Sequence, residues 1–273
     1  LFIFLLLLTI IFLMKAVQKN LDLKYIIFSG IALGISCLCR AVVLYLPIFI
    51  VSYFVILLFK KDKKRLFLGT AVFLLTFCVT LAPWSCRNHK IFKTYSVTSS
   101  DAWATFYGCN VMSPDLPFFD LYELKFPDEK VDIRLPGGEK AASIAFVKDR
   151  PLTYAKLCLK RFITFWGPIT KKPSLIKKVA DTFIYIIVFP MAFYGFYKSK
   201  WWFDVGTGFK PAPTLLITVI LYYTILHSLV GVDDALIYRY PIIPLICIFS
   251  AYGYYAYFTR IGHRPTLINA EKT

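Results

Sequence analysis

Seven apolar runs limit what this chain can fold into: Leu1 to Met14, Tyr25 to Cys39, Ala41 to Phe59, Leu66 to Pro83, Val179 to Tyr197, Ala212 to Val230 and Tyr240 to Phe258. In lipid a backbone amide has no water to bond, so each run is expected to close its hydrogen bonds within itself as a helix. The hydrophobic share is 58% and mean hydropathy is +0.62, against about 45–50% apolar residues in a soluble domain. The expected fold class is an all-α polytopic membrane protein. Leu1 to Met14 is shorter than the roughly 17–25 residues of a span and does not begin with Met, so it reads as the remainder of a cut helix. Lys15 follows it directly, where a signal peptide would carry small residues.

Charge decides how the runs thread. The stretch Tyr25 to Phe59 is interrupted only by Arg40, and it admits either two short spans or one long span with a flanking helix. Lys15, Lys19 and Lys24 precede it, and Lys60, Lys61, Lys63, Lys64 and Arg65 follow it. Both flanks are therefore cytoplasmic, the crossings are even, and Arg40 marks an outer turn. On this orientation residues 1–83 and 179–259 form transmembrane helices, 84–178 an extracytoplasmic loop domain and 260–273 a cytoplasmic tail. Lys198, Lys200, Lys210, Arg260 and Arg264 then fall inside, while the short external turns carry only Arg40 and Arg239.

A formal net charge of +16 would suit nucleic acid, but the basic residues sit between apolar runs, where anionic lipid favours them. Membrane lipid is the expected partner, and nucleic acid is not. Within the long loop, the turn signal LPGGEK precedes a helical pattern: Ile144, Val147, Leu152, Ala155, Leu159, Phe162 and Phe165, with Lys148, Lys156, Lys160 and Arg161 between them. Pro151 starts or breaks a helix. Pro151 to Trp166 is thus an amphipathic segment that is either interfacial or packed on the loop's own core. No cysteine pair has metal-ligand spacing, and a Cys86 to Cys109 disulfide requires an oxidising compartment.

No Walker loop, HExxH, Rossmann fingerprint or paired CxxC occurs, so no cofactor is identified and no metal site assigned. The chemical signal lies in Arg40, Arg87 and Arg239, which this topology brings to one depth at the outer face. A single interfacial arginine needs no function, because it can snorkel to water. Three together repel unless they share an anion, and guanidinium binds phosphate bidentately. A lipid phosphate would be that anion. Trp84, Tyr238 and Tyr240 beside them suit a headgroup-level belt. Asp101, Asp233 and Asp234 are expected as hydrated loop acids, and Asp181 as a partner of Lys177 and Lys178.

The stretches GIALGISCLCRAVVLYLPIFI, LAPWSCRNHKIFKTYSVTSSDAWATFYGCN, KDRPLTYAKLCLKRFITFWGP and YRYPIIPLICIFSAYG, in that order, resemble the C-terminal part of GT-C membrane glycosyltransferases. The nearest likeness is to dolichyl-phosphate-mannose protein mannosyltransferases of glycosyltransferase family 39 and to aminoarabinose transferases. Pro83-Trp84 with Arg87-Asn88 resembles that family's PWxxRN entrance to an external loop, and Arg239-Tyr240-Pro241 with Pro244 its approach to the last helix. Cys39-Arg40-Ala41 departs from the Thr-Arg-Pro often found there.

The resemblance implies a GT-C-type helix bundle with one external domain. It implies transfer of a sugar from a polyprenyl-phosphate donor to an extracytoplasmic acceptor, in a prokaryotic inner membrane given no organellar signal. Arg239, Arg87 and Arg40 would hold the donor phosphate, with Tyr240, Tyr238, Trp84 and Asn88 in support, and the catalytic acidic residue is expected upstream of residue 1. The alternatives are a flippase or transporter of lipid-linked sugars, which would favour midplane charges and repeats, and a polysaccharide polymerase or ligase.

Overall fold

The computed structural model describes residues 1–57, 63–93, 95–97, 102–112, 138–167, 176, 179, 182–199, 211–231 and 238–260. Among these residues every regular element is a helix. They fall into two compact units, one comprising Leu1–Gly167 and Leu215–Pro241, the other Pro168–Thr214 and Ile242–Thr273.

The first unit begins with a helical hairpin, α1 (Phe2–Gln18) and α2 (Leu23–Cys39). Asn20 and Leu21 reverse the chain at φ 55° and 64°, a left-handed pair unusual for residues with a Cβ. Burial of Leu21 anchors the turn, and the Asp22 side chain caps α2 by accepting from the Lys24 amide at 3.0 Å. Ser29 donates to the Thr9 carbonyl across the hairpin at 3.2 Å, and Phe12 packs on Phe28 with ring centroids 5.5 Å apart.

At Arg40 the helix stops: the residue is extended (φ −149°, ψ 121°), one 3-10 turn follows at Ala41–Val43, and α3 runs Leu46–Leu57. The next helix, α4, spans Lys63–Phe92 without stopping at Pro83. The PWxxRN stretch, expected to open a loop, is therefore helical. Proline removes one amide donor from the ladder, and the turns on either side carry the helix through it. Thr70, Thr76 and Thr80 donate back to carbonyls one turn earlier at 2.7–2.9 Å, so their hydroxyls are satisfied within an apolar helix.

Helices α2 and α4 meet at glycines. A Cβ on Gly30 would lie 2.0 Å from Thr76 Oγ1 and 2.9 Å from the Phe73 carbonyl, and one on Gly34 would lie 2.6 Å from Thr80 Cβ. Gly30 and Gly34 are four apart, the small-xxx-small spacing by which helix backbones approach where no hydrophobic effect drives them together. A short helix α5 (Ala102–Tyr107) leads into a π turn at Gly108–Met112, and α6 (Gly138–Asp149) precedes α7 (Pro151–Trp166), with Pro151 in the first turn where its missing amide costs nothing.

In the second unit a π turn at Ile184–Val188 leads into α8 (Phe189–Lys198). Pro190 there offers no amide to Ile186, which accounts for the widened turn before it. Between α8 and α9 (Pro211–Val230) lie residues outside the described set. The last helix, α10 (Ile243–Arg260), packs on α8 through glycine: a Cβ on Gly195 would fall 1.9 Å from the Phe249 carbonyl oxygen and one on Gly253 2.0 Å from that of Met191. Among the described residues, α4 and α9 are long and apolar enough to cross a membrane, and α1, α2, Ala41–Leu57 and Ile184–Lys198 are apolar but shorter.

Candidate functional site

The described site grows from the end of α9. Tyr222, Tyr223 and His227 are buried on this helix, and Tyr222 is pinned because its hydroxyl donates to the Val42 carbonyl, just after Arg40. Gly231 then ends the helix at φ +98°, a conformation suited to glycine. The chain returns at Tyr238 and Arg239, ahead of Pro241.

Tyr238 is where the parts converge. The Arg40 guanidinium carbon lies 5.6 Å from its ring centroid and 5.8 Å from that of Phe2, within cation–π range. The His227 imidazole lies 4.5 Å from the same tyrosine ring, 5.7 Å from Phe165 and 5.9 Å from Tyr223. Arg239, the next residue, is only 3% exposed, whereas Tyr240 is exposed. Arg40 is thus brought to the turn that carries Arg239, although some 200 residues separate them in sequence.

Arg87 is placed differently. It is exposed on the last turns of α4, 4.9 Å from the Trp84 ring and 5.8 Å from that of Phe92. Its Nη1 donates to Asn88 Oδ1 at 2.9 Å, and the buried Asn88 donates in turn to the Ser96 carbonyl at 2.9 Å. Among the described residues these contacts are local, and none joins Arg87 to Arg40 or Arg239. Asp101, Asp181, Asp233, Asp234, Lys177 and Lys178 lie outside the described residues, as does most of the long polar loop.

Two groups were not singled out from the sequence. His227 is 4% exposed, and its Nε2 and the Tyr223 hydroxyl are buried without a hydrogen-bond partner among the described residues. The available signal was an ionisable side chain inside an apolar run, which is costly there and marks a functional candidate. The second group surrounds Arg161. Instead of pointing to water with the lysines, its guanidinium donates to the Cys109 carbonyl and to Asn110 Oδ1 at 2.8 Å. Asn110 is fully buried and donates to the carbonyls of Phe106 at 2.8 Å and Val230 at 3.2 Å, while the Tyr154 hydroxyl donates to that of Leu229 at 3.1 Å.

This second group closes the end of α9, whose last carbonyls otherwise lack partners. A cation there also complements the negative end of the helix dipole. A Cβ on Gly231 would strike Cys109 Cβ at 2.6 Å and approach Arg161 Cζ at 3.3 Å, so glycine is required for space as well as for backbone angle. Burial pulls the Arg161 guanidinium below its usual pKa, and burial together with the neighbouring Cys158 thiol pushes the Tyr154 phenol up to about 12. Cys86 and Cys109, the pair considered from sequence, are not joined by a disulfide in this structure. Among the described residues no group of His, Cys, Asp and Glu is placed to hold a metal ion.

The arrangement supplies a cation on an aromatic platform, a second arginine one residue away from that platform, and a buried imidazole against the same ring. It can neutralise an anion; the described residues place no carboxylate beside it as a base. The chain matches no known protein family, and no characterised protein or solved structure is detectably similar to it.

Proposed function

We propose that this chain is part of a polytopic membrane glycosyltransferase of GT-C type, and that Arg40 and Arg239 bind the phosphate of a polyprenyl-phosphate sugar donor at the outer face of the membrane. The observation that carries the reading is the placement of Arg40 over Tyr238, beside the buried Arg239. Two like charges brought toward one turn favour a shared anion, and negative charge develops on the phosphate as the sugar departs, which is where fixed cations lower a barrier. The ordered resemblance to family 39 enzymes points the same way.

Helix length fits this placement. Leu66 to Arg87 on α4 rises about 31 Å at 1.5 Å per residue, close to the roughly 30 Å hydrocarbon thickness. If Leu66 lies at the cytoplasmic boundary, Arg87 reaches the opposite headgroups, with Trp84 beside it as an interfacial aromatic. Arg87 then meets the donor or acceptor from a neighbouring position.

The test is equilibrium binding of a polyprenyl phosphate to the 273-residue chain in detergent. Binding is expected to exceed that of the unphosphorylated polyprenol by at least about tenfold, and a soluble phosphate monoester lacking the chain should compete poorly, since each buried methylene contributes about 0.8 kcal/mol. Equal affinity for phosphate and alcohol would sink the proposal.

A further inference from the structure

Helix α7 has two apolar faces, and among the described residues only one is packed on the protein. Leu157 and Phe165 are buried, and Tyr154 and Arg161 between them make the contacts that close α9. On the other side Leu152, Leu159 and Ile163 are 78%, 62% and 61% exposed, with Phe162 and Ala155 exposed among them. At 100° per residue these five positions cover a sector about 100° wide, enough for a buried stripe. Lys156 and Lys160, both exposed, line one border of that sector, and the protein-facing side forms the other.

We propose that α7 lies flat on an anionic phospholipid surface, with Leu152, Leu159, Phe162 and Ile163 in the acyl boundary and Lys156 and Lys160 on lipid phosphates. The inference rests on the membrane reading above but not on sugar transfer. Charge complementarity selects the occupant: bulky apolar side chains bordered on one side by lysines match an interface of hydrocarbon below and anionic headgroups above. Lysine stems also cover apolar surface while their ammonium groups stay at the headgroups. The helix is held from behind through Arg161 and Tyr154, so its apolar stripe is presented at a fixed angle. The sequence pattern groups Phe165 with Leu152, Leu159 and Phe162, whereas the structure turns Phe165 inward and puts Ile163 in its place on the outer stripe.

The experiment places the photoreactive residue p-benzoylphenylalanine at Leu159, and separately at Ile163, in the full chain reconstituted in bilayers of mixed zwitterionic and anionic lipid. Irradiation is expected to give lipid adducts at both positions, enriched in anionic lipid. The enrichment should fall by about fivefold for each of Lys156→Gln and Lys160→Gln, the effect expected of one lysine near an anionic surface. The same probe at Leu75, an exposed apolar position on α4, reports on the membrane reading itself. Lipid adducts at Leu75 with only protein adducts at Leu159 and Ile163, within one chain or between two copies, would overturn the α7 proposal and leave the membrane reading standing. Absence of lipid adducts at all three positions would overturn both.

Discussion

The imidazole of His227 rests against the phenol ring of Tyr238, with centroids 4.5 Å apart, and the Arg40 guanidinium lies 5.6 Å from that same ring. The tyrosine therefore links α9 to the break after α2. Among the described residues the buried Nε2 of His227 has no hydrogen-bond partner, which carries a desolvation cost of about 1–3 kcal/mol, and apolar packing alone would not select it. His227→Phe, which keeps a ring and removes both nitrogens, is expected to hold thermal stability within about 1 kcal/mol while weakening polyprenyl-phosphate binding by about threefold or more. Unchanged binding in this variant would restrict His227 to packing.

Glycine contacts in the two units differ in what an added methyl would strike. At Gly30 the nearest atom is the Thr76 hydroxyl, which can rotate, and the closest backbone atom is the Phe73 oxygen at 2.9 Å, whereas at Gly195 the backbone oxygen of Phe249 is itself nearest, at 1.9 Å. Gly30→Ala is expected to cost about 1–3 kcal/mol, as overpacking does, and Gly195→Ala more, because α8 and α10 must separate. Thermal unfolding in one detergent, with the two variants side by side, checks the order.

Arg161 and Asn110 share a hydrogen bond, and Asn110 passes the connection to the end of α9. Hydrogen bonds to a charged group contribute about 1.5–3 kcal/mol, so Arg161→Met is expected to destabilise by about that amount and Asn110→Ala by somewhat less. The double variant should lose less than the sum, with a coupling of at least about 0.5 kcal/mol. Strict additivity in denaturation would separate the two residues.

Tyr154 makes stability depend on alkaline pH. Its phenol is raised to about 12 in the folded chain, first by burial and then by Cys158, against about 10 when unfolded. A raised phenol pKa means the neutral form is the one folding favours. Its contribution is therefore complete below pH 10 and lost as pH rises toward 12. Tyr154→Phe should be less stable than wild type at pH 9 and should lose less stability between pH 10 and 12, as read by denaturation midpoints at each pH.

The helices and their breaks were legible because apolar runs, Arg40 and Pro151 act locally: each changes the cost of continuing a helix at its own position. Pro83 ends an apolar run without ending the helix. A proline removes one donor, and α4 continues past it to Phe92, carrying Arg87 and Asn88 on helix rather than loop. The hydrogen bonds of Arg161 were not legible: a helical wheel already turns it away from Lys156 and Lys160, but its partner Asn110 and the α9 terminus are 51 and about 70 residues away and meet it only in the fold. His227 was visible as an ionisable residue in an apolar run, but its neighbours come from segments far apart in the chain. The approach of α2 to α4 was written in Gly30 and Gly34, a spacing whose partner helix only the fold identifies.

Arg239 provides the sharpest test of the proposed anion site. It is 3% exposed and follows Tyr238 directly, so any charge it meets is desolvated. Removing one partner of such a pair costs about 2–5 kcal/mol, and each 1.4 kcal/mol is tenfold. Arg239→Ala is thus expected to weaken polyprenyl-phosphate binding by about 30-fold or more. Arg239→Lys should recover only part, because an ammonium restores the charge without the two-pronged geometry. Arg87→Ala, at an exposed position with local partners, should have the smaller effect, of the order of a solvated ion pair at about 0–1 kcal/mol. Binding measured on folded variants, confirmed by unchanged chromatographic profile and melting behaviour, decides between the outcomes. If Arg239→Ala bound within about twofold of wild type, the phosphate would have to sit elsewhere, and Arg87 with Trp84 and Asn88 would become the candidate to pursue.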